Sequence, residues 1–445
     1  MQKIIIKNFR AIEYAEIELK KVLVLIGEQA TGKSTIAKLI YFFKTIQDDF
    51  FVQVYESGDV DLEKLISRKF IEFFGLVKGD FEVEFWFDEE MCLKIFNPEI
   101  KISLSGNWSL DKVSKTYKIY KNYIESSKIE NKGWEDKLVK FAESSQLVRE
   151  LRMTINNIFK VRQDDNLYVI AGRNVTVSYS DIFTQYLNSK IQSNISNRKN
   201  YDSTDEQLML KFMERVNSLK QEFKVKGSFR GFYSPHDNNF ESVISQKVDE
   251  IAKRILKSNY RFTKDFEELR LEKKETAIAL SDASSGQQEV IRILQDLLLL
   301  IQDKRKFLRI IEEPEAHLFP IAQKELIELL ALAVNYQREN QLIIATHSPY
   351  ILSVFNNLLF ANEVVAKDAS LKSEVAAVIE EDFWLKAEDF RAYTLGGEEA
   401  YCESIMSEDG GMIDQNYLDE VSEILGMEFN TLLELYRSTF KSTRR

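Results

Sequence analysis

The chain has 445 residues, 44% of them hydrophobic, with a formal net charge of −11. That length can bury a large core in two lobes, and a sequence pI near 5.2 weighs against a uniformly basic nucleic-acid-binding surface. Two cysteines, Cys92 and Cys402, without a Cys-x-x-Cys spacing, argue against a zinc module or disulfide scaffold and fit a reduced cytoplasmic setting. Met1 leads straight into an apolar strand, so no signal peptide is expected. The longest apolar run, near Ile293 to Ile301, is interrupted by Gln295 and Asp296 and falls far short of the ~20 residues of a membrane span.

Residues 1–26 read as antiparallel strands, the last of them Val22 to Ile26, a continuous apolar run of the kind found in buried parallel strands. It leads into Gly27-Glu28-Gln29-Ala30-Thr31-Gly32-Lys33-Ser34, followed by Thr35, which fits G-x-x-x-x-G-K-[ST]. In that pattern backbone N–H groups close around phosphate oxygens, Lys33 neutralises the β- and γ-phosphates, and Ser34 ligates Mg²⁺. Chance alone produces such a match in roughly one chain of this length in a hundred, so the flanks decide. Ile36, Leu39, Ile40 and Phe43 have helical spacing, which places the loop between strand and helix with the helix N-terminus aimed at the phosphates.

Val77 to Pro98 alternates as further strands, with Phe81, Val83, Phe85 and Phe87 on one face. From Trp108 to Leu271 the sequence is mostly helical, polar and free of sustained heptads, which predicts a large insertion suited to partner recognition rather than a long coiled coil. Lys253, Arg254, Lys257, Tyr260, Arg261, Phe262 and Lys264 form a basic stretch with aromatic residues, a candidate nucleic-acid contact, and Lys115 to Lys128 has a similar mix. Such runs are more often solvated helix faces.

Ser284-Ser285-Gly286-Gln287 precedes an amphipathic helix, Gln288 to Gln302, and offers hydroxyls and free N–H groups either as a helix cap or to an anion. Phe307 to Glu313 is an apolar strand ending in two carboxylates: Glu312 is the candidate Mg²⁺ ligand through water, and Glu313 the candidate general base. A second apolar strand, Gln341 to Ala345, runs into Thr346-His347-Ser348-Pro349, where His347 could sense the γ-phosphate or the attacking water. Of the three histidines, His236, His317 and His347, the second is assigned to a contact between subunits. Two phosphate-binding loops beside one carboxylate strand suggest ATP shared between two subunits. Beyond Ala361 the pattern suggests strands at Glu374 to Ile379 and Phe390 to Leu395, a turn at Gly396-Gly397, helices over Asp414 to Leu425 and Phe429 to Phe440, and a basic end.

Ala283 to Gln287, Glu312 to Leu318 and Thr346 to Pro349, with the opening Ile4 to Ile12 and the segment Tyr168 to Arg173, carry a resemblance. The chain resembles an ABC-type ATPase of the RecF/SMC branch, and within it OLD-like ATPases without a nuclease domain, similar to the AriA- and PtuA-type antiphage defence ATPases. The resemblance implies an α/β fold, a P-loop ABC-type ATPase head with an antiparallel β subdomain and a large helical insertion. It implies ATP and Mg²⁺ as cofactors, Arg10 near the nucleotide, a homo-oligomer with shared ATP sites, and a separate nuclease or toxin effector, since nothing after Pro349 resembles a Toprim nuclease. The expected divisions are an N-terminal lobe over 1–107, the helical insertion over 108–271, a signature, carboxylate-strand and histidine lobe over 272–365, and strands and helices over 366–445. Two alternatives stay open: a RecF-like DNA repair or chromosome ATPase, and a nucleotide-gated scaffold with negligible turnover.

Overall fold

Uninterrupted apolar strands demand cover on both faces, and the computed structural model supplies it by placing one parallel sheet between two cores. It describes residues 1–97, 100–127, 134–178, 203–234, 239–264, 266–271, 276–397, 400–407 and 411–414, with 427 and 432. Among them, six strands form the central sheet: β3 (Val22–Gly27), β7 (Asp165–Val169), β11 (Phe307–Glu312), β12 (Gln341–Thr346), β13 (Phe390–Leu395) and β14 (Cys402–Ser404), in the order β14-β13-β3-β12-β11-β7. All pairings are parallel except that of β14. Val22 and Val24 enter one core with Leu342 and Ile344, while Leu23 and Leu25 enter the other with Ile343, Leu308 and Ile310.

The second core lies under α1 (Lys33–Ser57), α2 (Leu62–Phe74) and a five-stranded antiparallel sheet in the order β2-β1-β4-β5-β6. That sheet comprises β1 (Gln2–Phe9), β2 (Ile12–Leu19), β4 (Glu82–Trp86), β5 (Cys92–Phe96) and β6 (Lys101–Ser105). Helical spacing brings Ile36, Leu39, Ile40 and Phe43 to the buried face of α1. Strand alternation brings Phe81, Val83, Phe85 and Phe87 to meet that core, and the Phe43 and Phe85 rings stack with centroids 4.9 Å apart.

The predicted class, an α/β P-loop head with an antiparallel subdomain, is the observed one. The described residues within 108–271 are largely helical, with α3 (Leu110–Ser127), α4 (Trp134–Ile158), α5 (Val175–Ser178), α6 (Thr204–Lys226) and α7 (Phe240–Leu256). They also contribute β7 to the central sheet, and Phe212, Val216, Val248 and Ile251 to its first core. The three-stranded sheet β10-β9-β8 follows, from β8 (Ser258–Phe262), β9 (Glu267–Leu271) and β10 (Ala277–Ala279).

Glu374 to Ile379 is not a strand: Glu374 to Val378 end α11 (Lys372–Val378), which follows α9 (Pro320–Tyr336) and α10 (Pro349–Lys367). Its Lys-Ser-Glu-Val-Ala-Ala-Val sequence is rich in helix formers, none of its residues is buried, and the edge of β3 that a strand could pair with is taken by β13. Phe390 to Leu395 and the turn at Gly396 are found as read. The helices expected over Asp414 to Leu425 and Phe429 to Phe440, apart from Asp414 and Leu432, the basic end and His236 lie outside the described residues.

The helix expected from Gln288 begins at Ser285, forming α8 (Ser285–Gln302), and is buried nearly all round. Its interior charges are therefore paired: Arg292 forks onto Glu267 at 2.6 and 2.7 Å, and Asp296 accepts from Arg309 of β11 at 2.6 Å and from Arg215 of α6 at 2.6 Å. Arg292 and its hydrogen bonds hold the Glu267 carboxyl down at about 2 against the opposing effect of burial, which is the largest single influence.

Lys44 of α1 is 2% exposed and donates to the Gln2 side chain at 2.5 Å, with burial pushing its ammonium down to about 7. This value lies below the ordinary 10.5, so between about 7 and 10.5 the unfolded chain binds more protons and the stability from this group rises with pH. Lys44→Met is expected to raise urea stability at pH 6.5 and to flatten its increase from pH 7 to 9, measured by unfolding across that range.

Candidate functional site

Parallel register carries the ends of five strands to one edge. Gly27 pairs with Leu395, Ile26 with Thr346, Ala345 with Glu312, and Ile311 with Val169. Loops leaving the carboxyl ends of such strands share one crevice.

The loop after β3 is shaped by two glycines. Gly27 has φ 149° and a Cβ there would stand 2.5 Å from the Leu395 carbonyl oxygen, while at Gly32, φ 83°, it would stand 2.8 Å from Ile12 Cγ1. Between them Glu28, Gln29 and Ala30 are exposed. Thr31 Oγ1 donates to the Glu28 carbonyl, and Tyr401 Oη donates to the Thr31 carbonyl, both at 2.8 Å. α1 starts at Lys33, so the N–H groups of Lys33, Ser34 and Thr35 lack carbonyl partners within the helix and sit at the positive end of its dipole. The Lys33 ammonium reaches back to the carbonyls of Gly27 at 2.7 Å and Glu28 at 2.5 Å. Burial lowers it to about 8, opposed by the charges of Glu313 and Glu315.

Glu312 closes β11 and is buried, its Oε1 accepting from the Tyr168 hydroxyl at 2.6 Å and its Oε2 from the Ala171 N–H at 3.2 Å. The same oxygen lies 3.5 Å from the Ser34 carbonyl, which places the carboxylate beside the P-loop helix. Burial, reinforced by Glu312, holds the Tyr168 pKa well above its ordinary value and keeps it a donor. Glu313 turns off the strand with φ 44° and its N–H bonds the Ala345 carbonyl at 2.8 Å. Its carboxylate, 44% exposed, stands 3.7 Å from His347 Nε2. Glu315 Oε1 accepts from Thr346 Oγ1 at 2.7 Å and the His347 N–H at 2.8 Å, which anchors the histidine by its backbone and leaves the ring facing Glu313.

Arg173 sits beneath both carboxylates with no exposed surface. It donates to the carbonyls of Glu312 at 2.9 Å, Glu313 at 3.1 Å, Ile170 at 3.3 Å and Glu289 at 3.0 Å, the last on α8.

The structure thus gathers Lys33, Ser34, Glu312, Glu313 and His347. Arg10 lies in the β1–β2 turn and donates to the Phe74 carbonyl at 2.8 Å, its guanidinium over the Phe9 and Phe74 rings. Ser284 and Gln287 form a reciprocal capping box at the start of α8, and Gln287 also donates to the Leu256 carbonyl at 2.6 Å. Ser284 and Ser285 are exposed, whereas Gly286 packs against the His317 carbonyl, where a Cβ would stand at 2.4 Å. His317 itself is exposed, beside Phe319, which is 76% exposed.

The basic stretch is largely engaged: Lys253 pairs with Asp249, Arg254 forks onto Glu325, and Tyr260 is buried against Glu267. Lys257, Arg261 and Lys264 are exposed. Sequence reading missed the hydroxyl of Tyr168, the anchoring by Glu315, and Tyr401. The first two lie inside quoted motifs, while Tyr401 is 370 residues from the loop it touches and carries no local signal.

Residues 1–352 match the AAA ATPase domain family (AAA_15). The chain belongs to that family. Nucleotide binding and ATP hydrolysis are its activity. Solved structures to which it is similar include an Smc head bound to the C-winged helix domain of ScpA, at 11% identity over 91% of this chain and 96% of that one, with a TM-score of 0.41. They also include an SMC head domain from Thermotoga maritima, at 12% identity over 79% and 90%, TM-score 0.35. A third is the Smc head domain with an extended coiled coil bound to the C-terminal domain of ScpA from Pyrococcus furiosus, at 12% identity over 80% and 92%, TM-score 0.37. No curated protein matches the chain. Among the described residues no helix is long and apolar enough to cross a membrane.

Gly27→Ala is expected to weaken ATP binding by at least about tenfold, since strain and a backbone clash fall together on the loop. Gly172→Ala, at φ 71° with nothing within 4 Å, serves as the control, with a cost of about 1 kcal/mol in stability and unchanged ATP affinity. Equilibrium titration with a fluorescent ATP analogue checks both.

Proposed function

We propose that this chain is the ATP-binding and hydrolysing subunit of a homo-oligomer whose copies close on shared ATP and open after hydrolysis. The observation that carries this reading is the juxtaposition of Lys33, Glu313 and His347 at the sheet edge, with Glu313 Oε1 and His347 Nε2 3.7 Å apart. In it, the N–H groups of Gly27 to Thr35 cradle the phosphates and Lys33 trades its loop carbonyls for phosphate oxygens. Glu313 takes a proton from water as the water oxygen bonds the γ-phosphorus. The bond to the bridging oxygen breaks and ADP leaves, with His347 orienting the attacking water.

Ser34 and Glu312, the latter held by Tyr168 beside the Ser34 backbone, offer a hydroxyl and a carboxylate, oxygen donors suited to Mg²⁺, which keeps several waters and shares the phosphates. When bound, Mg²⁺ supplies neutralisation of the developing phosphate charge.

The shared site rests on the Ser284 to Gln287 loop. Its internal bonds go to itself and to Leu256 rather than to Gly27 to Thr35, and its exposed serines adjoin exposed His317 and Phe319. A second copy docking on that surface would bring its own P-loop to these serines. The finer reading, the sensor or regulator of a bacterial antiphage system that controls a separate nuclease or toxin, draws its support from the OLD-like forms of Glu312 to Leu318 and Thr346 to Pro349. In it the 108–271 segment, with the paired helices α3 and α4, receives the effector.

Glu313→Gln is expected to bind ATP, to lose hydrolysis by about 10²–10⁴-fold, and to accumulate as an ATP-dependent assembly by mass measurement. Wild-type turnover in this variant removes the general-base assignment. An assembly whose mass never responds to ATP removes the shared site.

A further inference from the structure

We infer that Arg173 is a positioning residue for hydrolysis, setting the backbone of Glu313 and linking it to the helix behind the Ser284 to Gln287 loop. The inference rests on the assignment of Glu313 as general base.

Glu313 holds a left-handed φ of 44°, a conformation that non-glycine residues adopt at a cost and keep only where neighbours impose it. Three bonds hold it here, one of them within its own turn, where the Ala316 N–H donates to the Glu313 carbonyl at 3.0 Å. From one side the Ala345 carbonyl of β12 accepts the Glu313 N–H at 2.8 Å, and from the other Arg173 Nη2 donates to the Glu313 carbonyl at 3.1 Å. Arg173 Nη1 meanwhile holds the Glu312 carbonyl at 2.9 Å. The peptide carrying the proposed base is thus gripped on both flanks, while its carboxylate stays exposed to meet a ligand.

The third nitrogen points elsewhere. Arg173 Nε donates to the Glu289 carbonyl at 3.0 Å and stands 3.4 Å from the Glu289 carboxylate, in the second turn of α8. That turn follows directly on the capping box of Ser284 and Gln287. Contact of the loop with phosphate would shift the start of α8, and a buried, fully engaged guanidinium passes that shift to Glu313 through rigid bonds. A lysine cannot do this, because one ammonium on a flexible stem does not span three directions in a plane. The other fasteners of α8, Arg292 with Glu267 and Asp296 with Arg309, lie one and two turns further on and do not reach the carboxylates.

The test uses the full chain with Arg173→Lys and Arg173→Gln, each alone and combined with Glu313→Gln. ATP affinity, kcat, KM, melting temperature and ATP-dependent mass are measured. Expected are a kcat lower by about 10–100-fold, the scale of a misplaced catalytic group, ATP affinity within about twofold, and assembly on ATP that persists without turnover. The double variants are expected to be no slower than Glu313→Gln alone, because a residue acting through Glu313 has nothing left to position. Losses that multiply in the double variants, a kcat within twofold of wild type, or failure of both Arg173 variants to fold would each overturn the inference while a slow Glu313→Gln still stands. Wild-type turnover in Glu313→Gln alone overturns the base assignment beneath it, and this inference with it.

Discussion

Everything in this chain depends on a parallel sheet that is buried on both faces. β3, β11 and β12 have almost no solvent contact, and alternate residues along them belong to different cores. A strand in that position cannot slip by one residue without moving its whole set of side chains to the opposite core. Register is therefore rigid, and with it the relative heights of Gly27, Glu312 and Thr346 at the edge. Placement of the candidate site groups is a consequence of packing, because nothing in the exposed loops themselves could hold those groups to within a fraction of an ångström.

The charged residues inside the fold follow the same logic. α8 is surrounded by apolar side chains, yet it carries Glu289, Arg292 and Asp296, each met by a partner on a different element: Arg173 beyond β7, Glu267 on β9, and Arg309 on β11. Such pairs add little net stability against apolar residues of the same size, but leaving one member alone is costly. Their effect is directional. They specify which face of α8 meets β11 and at what height, a choice that a smooth apolar helix would leave open.

Much of this was legible beforehand because the signals are local. The glycine spacing of the P-loop, the apolar strand before it, the helical period of Ile36 to Phe43 and the two carboxylates after Phe307 to Ile311 each fit within a dozen residues. The misreading at Glu374 to Ile379 is also instructive. Short runs of mixed character satisfy strand and helix patterns alike, and the outcome turned on whether a sheet edge was available. β7 was passed over within a long helical stretch for the corresponding reason: five residues of Asp-Asn-Leu-Tyr-Val become a strand because β11 lies beside them.

The sequence by itself determined which groups are the candidates to cradle phosphate, hold a cation and take a proton, because those patterns depend on residue types at short spacing. Tertiary structure alone decided what supports them. Tyr168 holding Glu312 beside Ser34, Glu315 fixing Thr346 and His347, Tyr401 bracing Thr31 and Arg173 gripping Glu313 link residues 31 to 370 positions apart. The physical reason is that hydrogen bonds act over about 3 Å, and only the packing of two cores against one sheet brings such distant positions within that reach.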